Sequence, residues 1–271
     1  MSAGSRAPIG VFDSGIGGLT VAHAIIQHLP NERLIYFGDT ARVPYGPKSP
    51  DTVRRYSREI AGFLTSQGVK MIVVACNTAT AHALPTLQEE LDIPVIGVVE
   101  PGARAAVSAT RSGHVGVIGT AGTIKSGAYE RALRALRPSL RVTARPCPLF
   151  VPLVEEGWTD HDVTRAVARE YLEPLREAEV DTLVLGCTHY PLIKALLAQV
   201  LGDAVRLIDS AEETARETGR VLHAQGLEAP VSAEPVSGHR FFASDDPLQF
   251  LQLGQRFLGD VIEGVQVHTL G

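Results

Sequence analysis

The sequence predicts an α/β protein of two pseudo-symmetric, doubly wound lobes with largely parallel sheets, and three observations carry that expectation. Short apolar runs end in turn residues and lead into stretches of helical periodicity, the pattern of parallel strands joined by crossover helices. Four of these segments recur later in the chain, in the same order and at nearly one spacing, which marks an internal duplication. With 271 residues, 45% hydrophobic and 20% charged, the chain is long enough for two cores without disulfides or metals.

The first strand is IGVF (9–12). It runs into DSGIGG (13–18) and then an apolar helical stretch over 19–29. RLIYFG (33–38) is the second strand, followed by a Pro/Gly loop over 39–51. A helix is expected from about Thr52 to Gln67, because Val53, Tyr56, Ile60, Phe63 and Leu64 repeat at helical spacing; Ser49 or Asp51 can cap it. MIVVA (71–75) is the third strand, 79–91 its helix and PVIGVV (94–99) the fourth strand. Glu100-Pro101-Gly102 opens another helix, with proline where a first turn tolerates it.

The series then repeats. HVGVIG (114–119) matches the first strand, with Gly116 opposite Gly10 at a shift of 106. Residues 141–152 match 33–44 at 108, placing Val151-Pro152 opposite Val43-Pro44. TLVLGCT (182–188) matches the MIVVACNT stretch (71–78) at 111, and VRLID (205–209) matches the fourth strand at about 109. The remainder holds a helix (212–225), a Pro-containing loop, a strand HRFFA (239–243) and a helix near 247–258. It packs on one of the lobes; the pattern alone leaves open which.

A net charge of −5 and a pI near 6.0 argue against nucleic acid or an anionic membrane as the main partner. MSAGSRAPIG has no apolar signal region and no run reaches transmembrane length, so the expectation is cytoplasmic. Three cysteines without a CxxC pair predict free thiols.

In open α/β sheets ligands bind beyond the carboxyl ends of the strands, so those ends hold the candidate site. Cys76 and Cys187 each close a strand and are expected to open a helix, whose N-terminus favours thiolate. One buried cysteine alone is more often a small hydrophobe. Two at equivalent places, related by a pseudo-twofold axis, would act from opposite sides of a ligand in the cleft between the lobes. Inverting a carbon stereocentre requires that arrangement, one group removing a proton and the other returning one. Cys147, in RPCPL with flanking prolines and no following helix, is expected to be structural.

The second-lobe equivalents of Asp13-Ser14 are Gly119-Thr120, so the fold does not demand the carboxylate. Asp13 is then either a cap of the first helix or a partner of a thiol. Ser14, Thr78, Thr120, Thr123 and Thr188 are caps singly and carboxylate holders if they converge. His189, two residues past Cys187, stands where the first lobe has Thr78, an asymmetry that suggests an acid/base helper. Glu155 and Glu156 are not distinguished by position. Tyr45-Gly46 lies in a loop suited to closing over a ligand. GIGGLT (15–20) has Thr20 where a dinucleotide fingerprint needs glycine, and GTAGTIKS (119–126) has Ile124 where a phosphate loop does. The Cys-Thr-His triplet is too tight for a structural zinc signature, and no lysine has a Schiff-base context.

FDSGIGG (12–18), RVPYG (42–46), ACNTAT (75–80), LVEEGW (153–158) and GCTHYPL (186–192) together resemble the glutamate racemases, of the aspartate/glutamate racemase family. The resemblance spans nearly the whole chain. It implies a cofactor-independent, metal-free enzyme interconverting L- and D-glutamate, supplying D-glutamate for peptidoglycan in the bacterial cytoplasm. It implies Cys76 as the catalyst on D-glutamate, assisted by Asp13, and Cys187 as the catalyst on L-glutamate, assisted by Glu155 and His189. Substrate contacts then fall on Asp13, Ser14, Tyr45, Gly46, Asn77, Thr78, Thr188 and His189, with Thr120 and Thr123 as additions. It also assigns 1–97 plus 211–271 to the first lobe and 98–210 to the second, and makes a homodimer one of the options.

Overall fold

The computed structural model describes residues 3–270. The chain forms two compact units, one running to Val98 and resuming at Ala211, the other Val99–Ser210. In the first unit the order is β1 (Ile9–Asp13), α1 (Leu19–His28), β2 (Leu34–Gly38), α2 (Pro50–Ser66), β3 (Met71–Val74), α3 (Asn77–Glu90) and β4 (Val95–Gly97). The second unit contains α4 (Val99–Ala109), β5 (His114–Gly119), α5 (Ala121–Ser126), α6 (Ala128–Leu136), β6 (Arg141–Pro146), α7 (Phe150–Glu155), α8 (Asp162–Glu177), β7 (Thr182–Gly186), α9 (Lys194–Leu201) and β8 (Arg206–Ile208). The chain then returns to the first unit with α10 (Ala211–Ala224), β9 (Arg240–Ala243), α11 (Pro247–Leu258) and β10 (Gln266–Val267).

Sheet order is β10-β9-β2-β1-β3-β4 in the first unit and β6-β5-β7-β8 in the second, and every pairing is parallel. The last order repeats β2-β1-β3-β4, and the registers repeat with it. Gly10 pairs with Ile35 and Ile72, whereas Gly116 pairs with Thr143 and Leu183. Those rungs reproduce the shifts of 106, 108 and 111. The fourth strand differs: Ile72 pairs with Val95 and Leu183 with Leu207, a shift of 112 rather than about 109. Three-residue strands carry too few distinctive side chains to set a register by themselves.

Strand alternation divides each unit's apolar residues between two faces. Ile9, Val11, Met71 and Val73 pack with residues of α1, α10 and α11, while Phe12, Ile72 and Val74 pack with residues of α2 and α3. In the second unit Val115, Val117 and Val184 pack with α4 and α6, and Leu183 and Leu185 with α7, α8 and α9. Helices on both faces are what leave only the strand ends open for chemistry. Ser49 caps α2 through the Thr52 N–H at 3.3 Å, with Pro50 in the first turn.

β9 lies beside β2, so the returning segment widens the first sheet. β10 was not legible in the sequence, because two exposed residues make no apolar run. Buried Lys70 ties this segment down, donating to the Ser5 and Leu227 carbonyls at 2.8 and 2.7 Å and pairing with Glu32 at 2.6 Å. Among the described residues no helix is long and apolar enough to cross a membrane.

Candidate active site

In the first unit, alternation continues past β3, so that Cys76 falls on the same face as Ile72 and Val74 and is 5% exposed. It is the N-cap of α3, where its Sγ accepts the Ala79 N–H at 3.4 Å. The unsatisfied N–H groups and partial positive charge of that helix end favour a thiolate there. The same sulfur lies 3.7 Å from Ser14 Oγ. Asn77 and Thr78 follow in the first turn, both buried.

Asp13 is fully buried at the end of β1, and its Oδ2 accepts the Gly15 N–H at 3.0 Å. The N-cap of α1 is Gly18, so neither Asp13 nor Ser14 is the N-cap residue of that helix. Gly18 makes room for the carboxylate, since a Cβ there would stand 2.5 Å from Asp13 Cβ. The Tyr36 hydroxyl lies against the same glycine and donates to Gly15 O at 2.9 Å. Burial, then the nearby negative charges of Asp13 and Cys76, holds its hydroxyl well above the usual phenol range. It is a neutral hydrogen-bond donor, not a base.

Tyr45 is also buried, and its hydroxyl donates to the Asp39 carboxylate. That carboxylate further accepts Arg42 Nε at 3.0 and 2.8 Å and Ser244 Oγ at 2.9 Å. Arg42 in turn pairs with Glu59 and stacks over Tyr56 at 3.9 Å. With the Tyr45 hydroxyl so engaged, the backbone is what this segment can offer a ligand; no described residue accepts the Gly46 N–H.

In the second unit Cys187 shares its face with Leu183 and Leu185 and is 6% exposed. The expectation that it opens a helix is corrected: Thr188-His189 and a 3₁₀ turn, Tyr190–Ile193, precede α9. The His189 ring takes the place of the helix end. Its Nδ1 is 3.8 Å from Cys187 Sγ, and its Nε2 is 3.2 Å from Glu155 Oε1. Glu155, the last residue of α7, is therefore distinguished from Glu156 by contact. A thiol, an imidazole and a carboxylate in series can hold the sulfur's proton or receive it.

Gly119 and Gly186 pair across β5 and β7, so Thr120 and Cys187 leave the sheet beyond the same rung. Thr120 is the N-cap of α5, accepting the Thr123 N–H at 3.2 Å, and the two hydroxyls are 3.0 Å apart. Thr123 and Thr188 are buried. Tyr129 and Tyr190 flank this thiol; burial, then the charge of Cys187, raises both phenols beyond any role as a base.

Cys147 differs from the other two. A helix does follow it, contrary to expectation: α7 starts at Phe150, two residues beyond the cysteine's second flanking proline. Cys147 is not that helix's cap, however, and its sulfur faces the Arg145 carbonyl at 3.7 Å. Burial pushes the thiol far up, outweighing the nearby Arg145 charge.

The family model for Asp/Glu/Hydantoin racemases matches residues 9–218. The chain belongs to the Asp/Glu/Hydantoin racemase family. It is 59% identical over 251 residues to the glutamate racemase of Geobacter metallireducens, covering 93% of this chain and 92% of that one. Its fold superimposes on the glutamate racemase isoform RacE1 of Bacillus anthracis with a TM-score of 0.92 and 43% identity, over 98% of both chains. The Francisella tularensis glutamate racemase in complex with D-glutamate gives 0.90 and 39%, again over 98% of each. Membership makes the protein an isomerase, an amino-acid racemase.

In a racemase, Cys147 supplies a clean control. Cys147→Ala is expected to leave racemisation within about twofold of the parent while costing about 1–2 kcal/mol of stability, because it empties a buried volume and removes no reacting group. Steady-state rates beside a urea titration check both halves. Sequence reasoning did not single out Tyr36, Arg42, Asp39 or Ser244 as parts of the site. Asp39 ends a strand and so had a positional signal, whereas Ser244 lies 205 residues from the carboxylate it contacts and had none.

Proposed function

We propose that this racemase interconverts L- and D-glutamate by a cofactor-independent two-base mechanism, with Cys76 working on D-glutamate and Cys187 on L-glutamate. The observation that carries the reading is the duplicated register: the two thiols follow strands whose rungs correspond at the shift of 111, each buried at the sheet's carboxyl end. One thiolate takes the α-proton from one face of the carbon. The carbanion flattens, and the other thiol returns a proton to the opposite face, so each turnover exchanges the roles of the two sulfurs.

Asp13 assists at Cys76, while His189 backed by Glu155 assists at Cys187. The substrate's carboxylates are held by Ser14, Thr78, Thr188 and, as additions, Thr120 and Thr123, together with Asn77 and the Tyr45-Gly46 segment. An amino-acid α-proton is far less acidic than a thiol, so stabilising the carbanion needs a desolvated, preorganised site. The low exposure of both sulfurs and of the polar residues beside them supports that condition. The product D-glutamate would serve peptidoglycan synthesis in the bacterial cytoplasm, and a homodimer belongs to the same family-based reading.

The test is incubation with L- or D-glutamate in deuterium oxide without added cofactor. Deuterium is expected at Cα of the product enantiomer as optical activity decays. Binding without exchange would make the protein a receptor, and turnover of aspartate alone would move the substrate to the shorter acid.

A further inference from the structure

The family model stops at residue 218, yet the segment beyond it reaches the candidate site. β9 pairs with β2 through Gly38↔Ala243, so Asp39 and Ser244 leave the sheet side by side. The buried Ser244 hydroxyl donates to Asp39 Oδ1 at 2.9 Å and accepts the Ala41 N–H at 2.9 Å. One residue on, Thr40 Oγ1 donates to the Asp245 carbonyl at 2.6 Å and accepts the Asp245 N–H at 2.9 Å. Four hydrogen bonds thus clamp the start of the 39–50 loop to residues 244–245. The middle of the same loop is held by Asp39 itself, which accepts the Tyr45 hydroxyl, and by Arg42 against Glu59.

We infer that Ser244 is a positioning residue for substrate: through Asp39 it sets where the Tyr45-Gly46 backbone stands. The inference rests on the reading of Tyr45-Gly46 as a substrate contact. A fully buried carboxylate needs all its donors to stay fixed. Losing the serine hydroxyl leaves Oδ1 one donor short and the Ala41 N–H without its acceptor. Asp39 then turns toward its remaining donors, Arg42 and Tyr45, and the loop moves with them. Contacts made by the loop's backbone act on bound glutamate and on the transition state alike, so their loss raises KM and spares kcat.

Three enzymes decide it: the parent, Ser244→Ala and Ser244→Thr, each assayed for glutamate racemisation in both directions and for hydrogen exchange over 39–48. Ser244→Ala is expected to raise KM about tenfold for both enantiomers with kcat within about twofold, a loss the size of one hydrogen bond to a charged group. Exchange over 39–48 is expected to quicken while that over β1 and β3 stays as in the parent. Ser244→Thr, which keeps the hydroxyl, should restore most of the affinity. Faster exchange with KM unchanged would overturn the positioning role, as would a fall in kcat alone or a folded Thr variant no better than Ala. If the parent itself does not turn over glutamate, the substrate reading fails. The clamp is then judged by exchange alone, and unchanged exchange in Ser244→Ala overturns it.

Discussion

Cys76→Ala and Cys187→Ala are each expected to lower glutamate racemisation by at least about 10³-fold, within the range a positioned acid or base supplies. The two losses should be of similar size, because inversion needs both a base and an acid in every turnover. Neither substitution should unfold the chain: both sulfurs sit at strand ends, outside the ladders that pair β1 with β3 and β5 with β7. The informative measurement is solvent deuterium at Cα with each enantiomer supplied separately. In Cys187→Ala any residual exchange is expected with D-glutamate, where Cys76 can still remove and return a proton on its own face. In Cys76→Ala it is expected with L-glutamate. Robust racemisation by either variant would sink the two-base reading, and exchange on the opposite enantiomer would reverse the division of labour.

The assistants provide the second large effect. Asp13→Asn and His189→Asn should each cost about 10²-fold in kcat/KM, the lower end for acid–base assistance. Asn at 13 keeps an oxygen for the Gly15 N–H, so the turn should persist. Enantiomers have equal free energy, so the equilibrium constant is unity and kcat/KM must fall equally in both directions. Asymmetry therefore cannot be read from rates alone. It is expected in the primary isotope effect with α-deuterated substrate: Asp13→Asn slows transfer at Cys76 and should enlarge the effect on D-glutamate. His189→Asn slows transfer at Cys187 and should enlarge it on L-glutamate. Equal effects in both variants would mean that Asp13 and His189 do not serve separate thiols.

Those assignments differ in how much of them the residues announced. The strands, their crossover helices and the duplication were legible because parallel strands buried on both faces read as continuous apolar runs, and two copies share one pattern. Cys76 and Cys187 were legible for the same reason, as strand ends related by the repeat. The manner in which each thiol is served was not. Cys76 caps α3, as its position suggested, whereas Cys187 precedes a 3₁₀ turn and is met by an imidazole instead. Nothing in LVEEGW distinguishes Glu155 from Glu156; the direction in which the end of α7 presents each side chain does. The fourth-strand register was likewise set by the ladder and not by the side chains.

The sequence by itself determined the α/β class, the internal repeat, the pair of strand-end thiols and the asymmetry of their neighbours, Asp13 against Gly119 and His189 against Thr78. These are properties of local periodicity and of comparison between two stretches of one chain. The tertiary structure decided that Gly18 and not Asp13 is the N-cap of α1, that Glu155 backs His189, and that Ser244 reaches Asp39. Each of those depends on where a turn aims a side chain or on which strands become neighbours. β9 returns to β2 after some 200 residues, and no local pattern encodes that pairing. It is fixed by the burial of Phe241 and Phe242 on the two faces of a sheet that exists only once the rest of the unit has assembled.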